Sequence, residues 1–302
     1  MARPYHGRFA PSPTGPLHFG SLVAAVASYL QARSRGGRWS LRIEDVDRHR
    51  CRPQWAEAIP AALSALGMEW DGPVTSQSRH EARYREALDR LRALGLLYAC
   101  RCSRRTLAQV APRGPLGPVY PGLCREANLA DGPQRALRLR VAGVERAFDP
   151  VMGTLEQDLE RDLGDFVLRR ADGLYAYQLA VVVDDLAQGI TEVVRGADLW
   201  DNTPRQRYLA RCLGGEFPAT VHVPVAVDDL GRKLSKSSGA AALDLARPGA
   251  EIVRALAFLG QDPPAGLARA PLNEIWDWAI AHWDLRRIPR RREIPELGPE
   301  RR

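Results

Sequence analysis

Lys233 and Lys236 are the only lysines in a chain whose other basic residues are all arginines, and both stand in the Gly/Ser-flanked stretch DDLGRKLSKSSGAAAL. An ammonium on a flexible stem can follow a phosphate through a transition state as a compact point charge, which a planar guanidinium fork does less well. Gly231, Ser235, Ser237, Ser238 and Gly239 supply the mobility and hydroxyls for such a loop. A second stretch, PSPTGPLHFGS, turns from a strand into a helix through prolines and the glycines Gly15 and Gly20. The free backbone N–H groups and partial positive charge of a helix N-terminus suit phosphate. Gly20 lets a planar base or a ribose approach the backbone, and His18 beside it can donate to phosphate oxygens. Taken singly, the two stretches also read as a solvated basic turn and a tight structural turn with a surface histidine. A third group, Cys100, Cys102 and Cys124, offers three soft ligands in a loop-rich segment. Tetrahedral Zn2+ needs a fourth, and His80 and His222 are far away in sequence. Three free thiols are the alternative.

The elements that must position these groups are legible in outline. HGRFAPSPTGPLHFGSLVAAVASYLQARSRGG reads as a short strand, a Pro/Gly loop and a helix carrying Leu22, Val23, Val26 and Leu30 at helical spacing, stopped by Gly36 and Gly37. WSLRIEDVD follows as a strand that turns acidic at its end. SQSRHEARYREALDRLRALGLLYA predicts an amphipathic helix with Tyr84, Leu88, Leu91 and Leu94 on one stripe. From Cys100 to about Pro150 the pattern breaks into Pro/Gly-rich loops and short alternating runs, as expected of an inserted antiparallel module. Regular elements return in YAYQLAVVVDDLAQGITEVVRGADL, then a helix in TPRQRYLARCLGG, then a strand in TVHVPVAV that delivers the lysine loop. AEIVRALAFLG and LNEIWDWAIAHW are helical, the latter with Trp276, Ile280 and Trp283 near one face, and the basic tail LRRIPRRREIPELGPERR reads as extended. Strand–helix alternation split by an insertion predicts an α/β fold whose parallel sheet is interrupted midway.

A length of 302 residues and 45% hydrophobic content suit a soluble globular protein of one elaborated domain or two smaller ones. The net charge of +7 leans towards an anionic partner, although an Arg-rich composition alone would produce it too. The N-terminus has no apolar h-region and no apolar run is long enough for a membrane span. Five cysteines, an odd number with no secretion signal, point to a reducing cytoplasm. Cys51 and Cys212 stand alone as isolated thiols.

HFGS near the start and KLSKS late in a chain of alternating strands and helices resemble the HIGH and KMSKS signatures of class I aminoacyl-tRNA synthetases. RFAPSPTGPLHFGS and RIEDVD look like the glutamyl subgroup, over about residues 6 to 240, with Ser21 where the first motif has its second histidine. The short stretch after Ser237 and the CRC…Y…C insert make the chain similar to the glutamyl-Q tRNA(Asp) synthetases, stand-alone paralogues without the large anticodon-binding domain. The resemblance implies a Rossmann-type parallel sheet split by a zinc-containing insert, with a small helical C-terminal part. It divides the chain into 1–98 and 174–240 as the halves of the catalytic domain, 99–173 as the insert and 241–302 as the C-terminal part.

It also implies roles residue by residue. Arg8, Ser12, Glu44, Tyr177 and Arg195 would bind glutamate, with Glu44 on the ammonium. His18, Gly20, Ser21 and Lys236 would bind ATP; His18, Lys233 and Lys236 would be catalytic. Asp184, Asp185 and Asp198 would support the ribose or the loop. One structural Zn2+ would sit on Cys100, Cys102, Cys124 and Tyr120, since the family uses a tyrosine there. Mg2+ would accompany ATP. The implied activity is tRNA-independent formation of glutamyl-adenylate, then transfer to queuosine in the anticodon stem-loop of tRNA(Asp), by a cytoplasmic monomer. Rival readings are a truncated glutamyl-tRNA(Glu) synthetase charging the 3′ end, a small nucleotidylyltransferase, and a non-catalytic RNA-binding paralogue.

Overall fold

The computed structural model describes residues 3–234 and 241–296. β1 (His6–Phe9), α1 (Phe19–Arg33) and β2 (Arg38–Ile43) form the first β-α-β unit, with β1 and β2 parallel from His6↔Arg38 to Phe9↔Leu41. Leu22, Val23, Val26 and Leu30 are buried as their spacing predicts, and Ala25, Ala27 and Ala32 are buried beside them, so α1 is covered nearly all round. Past its last turn Gly36 takes φ +60°, a conformation that a side chain would strain. α2 (Pro53–Ala65) opens on a proline, where the missing N–H costs nothing. β3 (Thr75–Ser76) then adds to β2 in parallel.

α3 (Glu81–Ala93) turns Tyr84, Leu88 and Leu91 inward. Leu94, the fourth member of the expected stripe, is instead 55% exposed, because the helix has ended and Gly95 turns the chain at φ +69°. The middle of the chain comprises β4 (Leu97–Cys100), α4 (Arg104–Val110), β5 (Arg113–Gly114), β6 (Gly117–Pro118), β7 (Ala136–Leu139), β8 (Val144–Asp149), β9 (Gly153–Asp158), α5 (Leu159–Asp162) and β10 (Phe166–Arg169). Its named strands pair antiparallel, in a three-stranded sheet ordered β10-β7-β4 and the hairpins β5-β6 and β8-β9, and one isolated bridge, Tyr120 to Gly164, is parallel.

Parallel pairing returns after α6 (Tyr177–Ala187). β11 (Glu192–Gly196), α7 (Thr203–Cys212) and β12 (Ala219–Val223) place Arg195 directly opposite His222. The backbone N–H of Thr191 donates to His6 O at 2.9 Å, which sets β11 beside β1. The stretch read as one strand, TVHVPVAV, is two. Pro224 has no N–H to give a ladder, so β12 stops at Val223 and β13 (Val225–Val227) takes a new parallel partner, β14 (Glu293–Pro295), from the basic tail. α8 (Pro248–Phe258) and α9 (Leu272–His282) lie between. Ile275, Trp276 and Ala279 of α9 are buried, and Trp276 Nε1 donates to Leu66 O at 2.9 Å. One apolar cluster joins α1, β1, β2, α8 and α9; a second joins α3, β4, β7, α6 and α7. Among the described residues no helix is long and apolar enough to cross a membrane.

Candidate active site

The ends of β1, β2, β11 and β12 and the starts of α1 and α6 surround a cavity of about 470 Å3. Arg8, Ser12, His18, Gly20, Ser21, Glu44, Tyr177, Arg195 and Lys233 all line it, so residues scattered over most of the chain share one site. Lys236 lies outside the described residues. The chain on either side of that gap meets the first motif. His18 bridges to Ala242, and Leu243 N donates to Leu17 O at 3.3 Å. A Cβ on Gly20 would sit 3.2 Å from His18 Cε1, so the missing side chain makes room for the imidazole, and 3.6 Å from Leu234 O, an ordinary contact that places the two loops side by side. α1 has no side-chain cap and no acidic residue in its first turn, which leaves its N-terminal end compatible with an anion.

The floor of the site is a network of charges that sequence spacing did not reveal. Arg8 Nε lies 3.1 Å from Asp185 Oδ1, and Arg42 Nη2 lies 2.8 Å from the same oxygen and 3.2 Å from Glu44 Oε1. Arg42 and Asp185 are fully buried. Burial pushes the Asp185 carboxyl up, but the Arg42 and Arg8 guanidinium groups more than offset it and hold it below the usual carboxylate range. The same burial wins at Glu44, whose carboxyl is raised despite Arg42 and Arg8. Asp185 therefore supports Arg8 rather than a ribose. Asp184 accepts from Tyr84 Oη at 2.7 Å and pairs with His80 Nδ1 at 2.7 Å, fastening α3 to α6 away from the cavity lining. Asp198 supports the loop: its Oδ2 is 2.6 Å from Lys233 Nζ.

Arg195 differs from Arg8. It is 5% exposed, and among the described residues its hydrogen-bond partners are all neutral acceptors: His222 Nε2 at 2.9 Å, Thr203 Oγ1 at 2.9 Å and Leu199 O at 3.4 Å. Nη1 has no partner among the described residues, and burial pulls the guanidinium pKa below its ordinary value. A buried cation without a facing carboxylate is costly unless a ligand supplies one. Sequence reading picked out Arg195 but missed His222, Asp149 and Arg42. Arg42 had a signal, since it precedes Glu44 by two positions and so shares its strand face.

A separate group of donors lies in the antiparallel segment. The Sγ atoms of Cys100, Cys102 and Cys124 lie within 4.8 Å of one another, and all five cysteines are free thiols. Tyr120 Oη is 3.4 Å from Cys100 Sγ and 3.8 Å from Cys102 Sγ, and it accepts the Cys124 N–H at 2.9 Å. The Arg138 guanidinium lies 3.8 Å from the centroid of the Tyr120 ring. Three thiols and one phenol, converging from the end of β4 and the segment after β6, fit a four-coordinate metal, and the triad can bind one. Cys51 and Cys212 take no part; Cys212 packs against the second core.

Residues 5–247 match the family of class I tRNA synthetases (E and Q), catalytic domain. The glutamate tRNA ligase of Elizabethkingia meningosepticum has the same fold, with a TM-score of 0.81 at 24% identity over 98% of this chain and 68% of that one. Fold and site thus define the catalytic fold of a class I aminoacyl-tRNA synthetase, a ligase that uses ATP, an amino acid and tRNA. Glutamyl-Q tRNA(Asp) synthetase of Dechloromonas aromatica is 56% identical over 96% of this chain and 97% of its own. That of Pseudomonas aeruginosa is 51% identical over 98% and 99%. The chain belongs to the glutamyl-Q tRNA(Asp) synthetase family.

Proposed function

We propose that this protein activates glutamate with ATP, without needing tRNA, and transfers it to queuosine in the anticodon stem-loop of tRNA(Asp). The observation that carries the amino-acid assignment is the contrast between two buried guanidinium groups. Arg8 already holds a carboxylate, Asp185, whereas Arg195 meets only neutral acceptors beside a cavity that also contains the acid Glu44. A dicarboxylic amino acid supplies the carboxylate that Arg195 lacks and an ammonium for Glu44, whose Oε1 is already paired with Arg42. Ser12 and Tyr177 complete the glutamate contacts in this reading. His18, Gly20, Ser21 and Lys236 hold ATP, which enters with Mg2+ as its counterion.

A carboxylate oxygen of glutamate attacks the α-phosphorus of ATP and pyrophosphate leaves. A hydroxyl of the queuosine cyclopentenediol then attacks the acyl carbon and AMP leaves. Positioning and charge neutralisation by His18, Lys233 and Lys236 supply the acceleration. We read β1-β2-β3 and β11-β12 as one Rossmann-type parallel sheet, interrupted by residues 99–173, with residues 241–302 as the C-terminal part. Zn2+ on Cys100, Cys102, Tyr120 and Cys124 serves to staple the insert, and the enzyme works as a monomer in the cytoplasm. The contact of an Arg-rich surface with RNA is expected to weaken steeply with salt.

The test compares transfer of labelled glutamate to tRNA from cells that make queuosine and from cells that do not, together with an isolated queuosine-containing stem-loop. Glutamate is expected on the first tRNA and on the stem-loop only. Equal charging of queuosine-free tRNA(Glu) at its 3′ end overturns the assignment.

A further inference from the structure

Arg195 is gripped by a buried pair that the reading above leaves without a role. Its Nε donates to His222 Nε2 at 2.9 Å, and His222 Nδ1 lies 2.7 Å from Asp149 Oδ2. Asp149 and His222 are fully buried. The Asp149 carboxylate accepts the N–H of Val151 and of Met152 at Oδ1, each at 2.9 Å, and the His222 backbone N–H at Oδ2, at 2.9 Å. Facing donors alone, it fixes the imidazole with its proton on Nδ1, so that Nε2 offers a lone pair to Arg195. The other tautomer would set an N–H of His222 against the N–H of Arg195. The Trp200 ring closes one side of the imidazole, with centroids 4.9 Å apart.

An arginine side chain has many rotamers, and holding one of them before the ligand arrives removes that ordering cost from binding. Here Nε and Nη2 are engaged by the protein, which fixes the plane of the guanidinium and leaves Nη1 without a partner among the described residues. We propose that Asp149 and His222 are positioning residues for amino-acid recognition. Asp149 locks the tautomer of His222, and His222 locks the guanidinium of Arg195 in the orientation that receives a substrate carboxylate. This rests on the reading of Arg195 as a glutamate contact. Asp149 ends β8, in the antiparallel segment, while Arg195 and His222 face each other on β11 and β12. Amino-acid recognition is thereby tied to the segment that also carries the cysteine cluster.

The experiment measures glutamate-dependent ATP–pyrophosphate exchange with KM for glutamate and for ATP determined separately, and thermal melts alongside. His222→Ala is expected to raise KM for glutamate by about tenfold or more and to leave KM for ATP within about twofold. His222→Gln, whose amide oxygen can take the place of Nε2 as acceptor, is expected to recover most of the loss. Asp149→Asn should behave like His222→Ala, because an amide NH2 at either oxygen position faces an existing N–H donor. Should the alanine variant fail to fold, His222→Met, similar in length but a poor acceptor, makes the same comparison with His222→Gln. Equal rises in both KM values, or no recovery with glutamine, would mean a purely structural role and overturn the proposal. Arg195→Ala separates the two readings. If it raises KM for glutamate and His222→Ala does not, positioning alone is wrong; if it leaves that KM unchanged, the glutamate assignment falls and the positioning proposal with it.

Discussion

Lys233 Nζ lies 2.6 Å from Asp198 Oδ2, so a carboxylate from the turn after β11 reaches the base of the lysine loop. Both residues line the cavity, and Lys233 also bridges to Val227 of β13. Both side chains are partly exposed, and an exposed pair of this kind adds little to stability. Its effect is to set where the loop begins.

Asp198→Asn should therefore slow pyrophosphate exchange by about tenfold while shifting the melting temperature by no more than about two degrees. Lys236→Ala should cost about 10²-fold or more, the scale of losing one transition-state charge contact. Lys236→Arg should also be impaired, since the compact charge and flexible stem are not reproduced. An arginine variant at full rate would show that the loop has no need of an ammonium.

The cysteine cluster predicts metal content. Protein purified without added zinc should carry about one equivalent, bound through thiolates. Replacing Cys100 and Cys102 together by serine should abolish it and lower the melting temperature, because Cys100, Tyr120 and Cys124 form a small buried cluster with little other apolar support. Full occupancy in the double variant would exclude these ligands.

How far the sequence reached follows from which contacts are local. HFGS and the lysine loop were legible because glycines, serines and an isolated pair of lysines are unusual at those spacings, and their flanks do meet at His18 and Ala242. Arg8 and Arg195 had no local signal among so many arginines and were named only through the family likeness. Their partners were out of reach. Asp185 stands 177 residues from Arg8, and Asp149 stands 73 from His222. No periodicity joins residues so distant. Two local readings failed for local reasons. Leu94 fell one residue beyond its helix, ahead of a glycine turn, and Pro224 cut a continuous apolar run into two strands with different partners.

The burial of His222 sets a last expectation, for stability against pH. Burial drives the imidazole pKa down from 6.5 to about 4; the hydrogen bond to Asp149 works against this shift and Arg195 adds to it. The folded protein thus resists protonation at pH values where the unfolded chain already accepts it. Above about pH 6.5 both states are neutral and the residue contributes no pH dependence. As pH falls from 6.5 towards 4 the unfolded state alone gains the proton, and stability declines. Below the folded value both states are protonated and the loss levels off, at about 3 kcal/mol for this one group. Other groups titrate in the same range, among them the half-buried His6, whose pKa burial also lowers. The measurement is therefore a difference: denaturant unfolding of the unmodified protein and of His222→Gln from pH 7.5 to 4. The gap between the two stabilities should shrink or reverse as pH falls, since only the unmodified chain carries the His222 term. A gap that widens as pH falls would mean that His222 is charged in the fold, a constant gap would mean that folding leaves its pKa unshifted, and either outcome contradicts the buried neutral imidazole argued from Asp149.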